Sequence, residues 1–376
     1  MIPFNIPCIT GKEETYIHQV LSNKKFSGNG PFGEKCKDWL EWRLSSKKAL
    51  LTPSCTAALE MAALLADLKA GDEVLMPSYT FVTTANAFVL RGATPVFIDI
   101  DPQTMNINTD LIEQAITPHT KAIVVVHYAG VSCDMDKVMD IAEKHGLFVI
   151  EDAAQALLST FKGKELGTLG HFGTFSFHET KNYTCGEGGA LLINDSHYIE
   201  RAEIIQEKGT NRSQFKRGQV NKYTWQDIGS SYLLSELNAA YLLAQLRAAD
   251  TIYEDRMESW NHYAEGLQPL IEKGKIDVQQ IPDECQHNAH MFYIKTADLE
   301  EREDLRAYLD RKGIMAVPHY EPLHSSPGGE KYGRSAGGEP LTKREGERLL
   351  RLPLYYGMES EDVGYVVEHI QKYFKE

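Results

Sequence analysis

The chain has 376 residues, 42% of them hydrophobic, and a formal net charge of -14. That length exceeds one ordinary domain and the apolar content suffices for a large core, while the acidic balance excludes a general nucleic-acid surface, which needs basic stripes to capture phosphate. No run approaches the length of an apolar membrane span, and the opening MIPFNIPCIT lacks the basic-then-apolar pattern of a targeting signal, so a cytoplasmic protein without membrane insertion is expected.

Between about residues 47 and 195 short apolar runs alternate with amphipathic stretches, the pattern of strand and helix units winding a mostly parallel sheet. Ala49–Leu51, Glu73–Met76, Pro95–Asp99, Ala122–Val126 and Leu147–Ile150 are the expected strands, and their near-continuous hydrophobicity implies burial on both faces. Helices are expected over Thr56–Asp67, Thr83–Leu90, Asp110–Ala115 and Met135–His145, the last stopped by Gly146. An apolar helix over Tyr232–Leu246 and a charged spacer helix over Asp250–Leu267 then lead to a second module. That module restarts with a strand at His290–Ile294, a helix over Arg302–Lys312, a Gly313 stop and a strand at Ile314–Val317. Residues 325–338, rich in Gly and Ser, read as loop, and Ser360–Phe374 as a closing helix with Ser360 as its N-cap. The division expected is a large α/β domain over 1–250 and a small α+β domain over 251–376. Cysteines at 8, 36, 55, 133, 185 and 285 show no paired or zinc-ligand spacing and read as reduced thiols.

In open α/β sheets ligands sit beyond the carboxyl ends of the strands, so the residues that follow each strand belong together. Ser54–Ala58 leads into a helix and offers free amides to an anion, or is an ordinary capped helix start. Asp152 closes a buried strand, where it faces a cationic ligand or caps a helix beginning at Ala153. Gln155, one turn on, donates to a ligand oxygen or lies at the surface. Lys181 follows an aromatic strand just ahead of the Gly186-Glu187-Gly188-Gly189 run, a setting for a Schiff-base lysine or for a solvated one. All of these fall at one sheet edge.

Taken with Ser27–Phe32, Pro77–Phe81, Glu151–Gln155, Ser176–Asn182, Gly186–Gly189 and His319–His324, the chain resembles, over nearly its whole length, the sugar-nucleotide aminotransferases among the fold-type I pyridoxal-phosphate enzymes. The resemblance implies the cofactor pyridoxal 5'-phosphate, joined to Lys181, with Asp152 at the pyridine nitrogen and Gln155 at the ring hydroxyl. It also implies Phe81 stacked on the ring and Thr56, Ala57 and Ser176 at the phosphate. Lys181 speaks against the dehydratase relatives, in which His replaces it. Ser176–Tyr183, Glu207–Arg212 and Tyr223–Tyr232 resemble members that act on a dTDP-linked 4-keto-6-deoxysugar with L-glutamate as donor. The family builds its site across a homodimer, an expectation that the apolar stretch Tyr232–Leu246 supports. Three positions depart from the commonest pattern: Cys55 stands for Gly, Ser231 for the Asn that reaches the partner's phosphate, and Leu233 for Arg or Lys. For the substrate, the run from Lys208 through Arg212 to Lys216-Arg217 either meets the diphosphate or is a solvated basic loop. His319, Tyr320 and His324 resemble the family's substrate-facing segment.

Overall fold

Apolar runs that are short, β-branched and bounded by turns are most stable when both faces of the strand are covered. In the computed structural model, which describes residues 1–375 and leaves Glu376 of the expected second domain outside the described residues, they form one eight-stranded sheet. Its strands are β1 (Lys48–Thr52), β2 (Glu73–Pro77), β3 (Thr94–Ile98), β4 (Thr120–Val126), β5 (Phe148–Asp152), β6 (Phe172–Ser176) and β7 (Gly189–Ile193), completed by a short late strand described below. Only β7 runs against its neighbours, pairing antiparallel with β1 and β6. Alternation along the strands sorts the side chains into two layers: Ala49 and Leu51 enter one core and Leu50 the other, as Ile123 and Val125 oppose Ala122 and Val124.

Two helices that the local patterns did not announce precede β1: α1 (Glu13–Asn23) and α2 (Pro31–Leu44). The start of α2 is capped from far away, for the buried Glu236 carboxylate accepts the N–H groups of Gly30, Phe32 and Gly33 at 3.1, 2.9 and 2.8 Å. Helices α3 (Cys55–Leu65), α4 (Val82–Val89) and α5 (Met135–His145) pack on the sheet, α5 opening on an Asp134 cap and closing at Gly146 with φ 65°.

The expected apolar helix begins at Glu236 rather than Tyr232, because Ser235 caps it: α6 (Glu236–Arg247). Its apolar surface is covered by α1 and α2 of the same chain, so the apolarity of this helix does not require a second copy. The expected spacer is α7 (Ala249–Glu272), which buries Ile252, Tyr263, Leu267 and Leu270 on one side. A second, antiparallel sheet joins β8 (Asp277–Val278), β9 (Phe292–Lys295) and Leu349–Leu352, with α8 (Leu299–Arg311) nearby. Three readings of this region change. The stretch Ile314–Val317 forms only bridges, Ile314 to Ile2 and Val317 to Arg351. The expected loop 325–338 contains β10 (Arg334–Ser335), which adds to β3 and so completes the large sheet; the last strand of the small sheet is then β11 (Leu349–Leu352). The closing helix α9 (Ser360–Tyr373) has Glu359, not Ser360, at its N-cap position. No helix among the described residues is long and apolar enough to cross a membrane.

Candidate active site

Parallel strands that end together leave their following residues on one rim, and here a cavity of about 690 Å³ opens there, between the large sheet and the small one. Ser54, Cys55 and Thr56 line it from the end of β1, Asp152 and Gln155 from the end of β5, and Ser176 and Lys181 from the end of β6.

Ser54 caps α3, its Oγ accepting the N–H of Ala57 at 3.1 Å. That bond engages the Ala57 amide, and Ala57 is buried and does not line the cavity, unlike Cys55 and Thr56. Cys55 and Thr56 are the first residues of an eleven-residue helix, and their N–H groups have no carbonyl one turn back to bond. β7 passes directly beneath them: a Cβ at Gly189 would stand 2.4 Å from the Ser54 carbonyl carbon, so only glycine fits there.

Asp152 is 5% exposed, and its carboxylate accepts the Thr84 hydroxyl at 2.7 Å and the Ala154 N–H at 3.2 Å. Turns follow it, so of the two readings the capped helix at Ala153 falls away: Ala156 bonds back to Ala153 and Ser159 to Ala156. Among the described residues no Lys, Arg or His forms an ion pair with it, and burial pushes its carboxyl above the usual carboxylate range. Beneath it the strand end is held hard. Glu151 accepts the N–H groups of Gly167, Leu169 and Gly170 at 2.6 to 2.7 Å. It also lies 2.9 Å from His127 Nε2, whose other nitrogen accepts from the Cys133 N–H at 3.2 Å and so assigns the ring proton to Nε2.

Lys181 sits in a turn, its N–H donating to the His178 carbonyl at 2.9 Å, and its side chain faces the same cavity as Asp152. Burial pushes its amine below the ordinary lysine range, against the opposing pull of Cys55 and Asp152. Three unmet demands thus share one cavity: an open helix N-terminus, a buried carboxylate without a cation, and a half-buried amine whose pKa desolvation lowers toward the neutral, nucleophilic form. A pyridinium aldehyde carrying a phosphate ester answers all three, at α3, Asp152 and Lys181 respectively.

Phe81 lines this cavity and is 52% exposed. Gln155 lines it too, but its amide is engaged: Oε1 accepts the Ala129 N–H at 2.6 Å and Nε2 donates to the Tyr320 hydroxyl at 3.0 Å. His319 and Tyr320 form part of the opposite wall, stacked with centroids 3.6 Å apart, and Tyr128 Oη lies 2.6 Å from His319 Nδ1. His324 is turned away from the cavity wall, its Nδ1 2.6 Å from the Ser78 hydroxyl. Lys208, Arg212 and Ser231 do not line this chain's cavity either. Ser231 is exposed and bridged to Glu207, and Arg212 lies 3.6 Å from the Glu207 carboxylate.

Phe4, Asn5, His290 and Arg351 are among the lining residues that escaped the reading of the sequence. His290 Nδ1 stands 2.8 Å from Asn182 Oδ1, and burial holds the imidazole well below its ordinary pKa, so the ring is neutral. His290 precedes β9 and Arg351 lies within β11, where the local signal is that of a small-sheet strand and nothing marks the cavity. Among the described residues no cluster suits a metal ion.

The chain matches the model of the DegT/DnrJ/EryC1/StrS aminotransferase family over residues 7–371. It is 34% identical over 377 residues to the GDP-perosamine synthase of Escherichia coli O157:H7, covering 100% of this chain and 99% of that protein. To the spore coat polysaccharide biosynthesis protein SpsC of Bacillus subtilis it is 33% identical over 382 residues, covering 100% and 97%. Among solved structures, the putative sugar aminotransferase Spr1654 of Streptococcus pneumoniae in its PMP-form superposes with a TM-score of 0.91 at 26% identity, covering 100% and 99%.

Proposed function

This chain belongs to the DegT/DnrJ/EryC1/StrS aminotransferase family and is a pyridoxal-phosphate-dependent aminotransferase, and on that premise we propose its substrates and the residues that serve them. It moves the amino group of L-glutamate to C4 of dTDP-4-dehydro-6-deoxy-D-glucose, giving dTDP-4-amino-4,6-dideoxy-D-galactose and 2-oxoglutarate. The product feeds a surface polysaccharide such as enterobacterial common antigen, and a nucleotide-sugar substrate implies a cytoplasmic enzyme. The likeness of Ser176–Tyr183, Glu207–Arg212 and Tyr223–Tyr232 to members with this substrate supports the choice of sugar, and the name of SpsC supports the polysaccharide context.

One observation carries the chemistry: a half-buried lysine and a buried, cation-free carboxylate face the same cavity at the end of a parallel sheet. The cofactor, when bound, supplies an aldehyde that captures amines and a ring that draws electrons from the bound carbon. Asp152 keeps the ring nitrogen protonated, gaining in return the cation its burial demands. The amides at Cys55 and Thr56 and the Ser176 hydroxyl would hold the phosphate, and Phe81 would offer its flat face to the ring. Lys181, freed by the incoming amine and already biased toward its neutral form, removes the proton from the donor's α carbon. In the second half of the cycle it delivers a proton to C4 of the sugar, and the face from which it does so decides between the galacto and gluco amines. His319 and Tyr320 face the sugar.

The active form is a homodimer. Trp225 on the loop 207–231 is 82% exposed, a large apolar side chain that a partner would cover. Ser231, Lys208 and Arg212, which face away from their own cavity, then serve the partner's phosphate and diphosphate.

Incubation with dTDP-linked 4-keto and 3-keto sugars and a GDP-linked 4-keto sugar, each with glutamate, followed by NMR of the product, tests the proposal. An axial amine at C4 of the dTDP sugar is expected. Amination at C3, or turnover of the GDP sugar alone, would overturn the assignment.

A further inference from the structure

The turn after β4 carries a side chain that the chemistry above leaves unused. Tyr128 is fully buried, and its backbone is held on both sides: Asn106 Oδ1 accepts its N–H at 2.8 Å, and Gln155 Oε1 accepts that of Ala129 at 2.6 Å. Its hydroxyl lies 2.6 Å from Nδ1 of His319, which lines the cavity. Which of the two supplies the proton follows from what surrounds them. The phenol packs among the rings of Tyr79, Tyr293 and Tyr320, and among the described residues His319 is the only hydrogen-bond partner of its oxygen. The hydroxyls of Tyr79 and Tyr293 are buried without a hydrogen-bond partner, so no other acceptor engages it. If Nδ1 donated, the phenol proton would be buried with nowhere to go, which is unfavourable. Tyr128 therefore donates, Nδ1 accepts, and the ring proton of a neutral His319 stands on Nε2. Burial, which lowers the imidazole pKa and raises that of the phenol, favours the same assignment.

We infer that Tyr128 is a positioning residue for the sugar: by holding the imidazole of His319 from Nδ1, it presents Nε2–H to an oxygen of the hexose. The inference rests on the proposal that the acceptor is a nucleotide sugar. Tyr128 does not line the cavity, so it acts through His319 and not on a reactant. Of the two substrates, the amino donor arrives with charged groups, which call for cations, whereas the hexose is the neutral polar part of the nucleotide sugar. An uncharged N–H set in a wall of rings suits the hexose, whose faces are C–H and whose rim is oxygen. That wall is formed: His319 stacks on Tyr320 with centroids 3.6 Å apart, and the Phe81 ring lies 6.1 Å from that of Tyr320. Among the described residues Nε2 has no hydrogen-bond partner of its own.

The test uses the holoenzyme with Tyr128→Phe, with His319→Gln and with both changes together. Single-turnover absorbance of the bound cofactor separates the two halves of the cycle, glutamate driving the first and the dTDP-linked 4-keto sugar the second. Tyr128→Phe should slow the second half about tenfold at low sugar concentration, the size expected of one lost hydrogen bond, and leave the first half unchanged. His319→Gln should slow the second half at least as much, and Tyr128→Phe should add nothing to it. Nitrogen NMR of histidine-labelled enzyme, with the His319 signals assigned by their loss in His319→Gln, should place the wild-type ring proton on Nε2. A proton on Nδ1, a second half unaffected by Tyr128→Phe, losses that add in the double variant, or equal slowing of both halves would overturn the role of Tyr128 and leave the substrate reading standing. A wild type that glutamate converts but that no keto sugar restores would overturn the substrate reading, and this inference with it.

Discussion

The cavity rim of the large sheet and the loop 207–231 both gather charged side chains, and they treat them in opposite ways. At the rim, among the described residues, the buried Asp152 and the half-buried Lys181 form no ion pair, and the half-buried Arg351 across the cavity has none. On the loop the cations have acids beside them: Arg212 and Lys216 each lie 3.6 Å from Glu207, and Arg217 donates twice to Glu203 at 2.9 and 2.8 Å. Ion pairs open to solvent contribute about 0 to 1 kcal/mol, and here half-exposed cations give the buried Glu207 its counter-charge. A buried charge left alone costs several times that, and persists where a ligand compensates it. A binding site is therefore better recognised by charges that lack partners under cover than by the density of charge in the sequence.

The contrast is broken most directly at Lys181. Lys181→Ala should slow the single-turnover reaction with glutamate by more than about a thousandfold, and borohydride reduction of the variant should leave no cofactor label on the peptide that carries position 181. A label retained elsewhere with activity intact would refute the assignment.

Asp152→Asn sharpens the contrast, because function and stability should move in opposite directions. Catalysis should fall by about a hundredfold or more as the ring nitrogen loses its anion, whereas the apo-protein should gain about 1 to 3 kcal/mol in urea unfolding, since a neutral amide replaces an uncompensated carboxylate. The pH dependence has a definite sign. An acid whose folded pKa is raised holds its proton more readily in the fold than in the unfolded chain, so its penalty appears as pH rises past the ordinary carboxylate range and fades below it. The stability gain of the variant should thus be full near pH 8 and shrink toward pH 4. A gain that is independent of pH would mean that ionisation of Asp152 is not its source.

The same contrast explains what the sequence disclosed. Buried parallel strands announce themselves by continuous apolar runs, and α5 by its Asp134 cap and Gly146 stop, so β1 to β5 and the residues after them were legible in chain order. Lys181 and Asp152 were legible with them, because strand ends of such a sheet converge. β7 lies just past the Gly186–Gly189 run and went unread. Features made by distant partners had no local mark. α2 is capped by Glu236, about two hundred residues on, and β10 exists because β3 offers it a ladder and Glu73 holds Arg334 at 2.7 and 2.9 Å. Arg351 and His290 reach the cavity only through the docking of the small sheet on the large one, which no residue spacing encodes. The run Lys208–Arg217 read either as an anion site or as a solvated basic loop; the fold turns Arg212 and Lys216 back on Glu207 and Arg217 back on Glu203.

The smallest effect belongs to that loop, and it separates two accounts of it. If Arg212 and Lys208 act on a diphosphate from an exposed and partly neutralised surface, Lys208→Ala with Arg212→Ala should raise the KM for the dTDP sugar by less than about tenfold and leave kcat unchanged. Screening over a Debye length of about 8 Å at physiological ionic strength then predicts that the difference from wild type disappears as salt is raised. If a partner subunit instead covers the loop, the same cations are buried against the ligand, and their removal should give a larger loss that salt does not erase. Initial rates at low and high salt, set beside sedimentation of both proteins, decide between them. A large, salt-independent loss in a dimeric protein would move the loop from the exposed class of charge to the buried one, and the boundary drawn between the two regions would then hold for the single chain but not for the assembly.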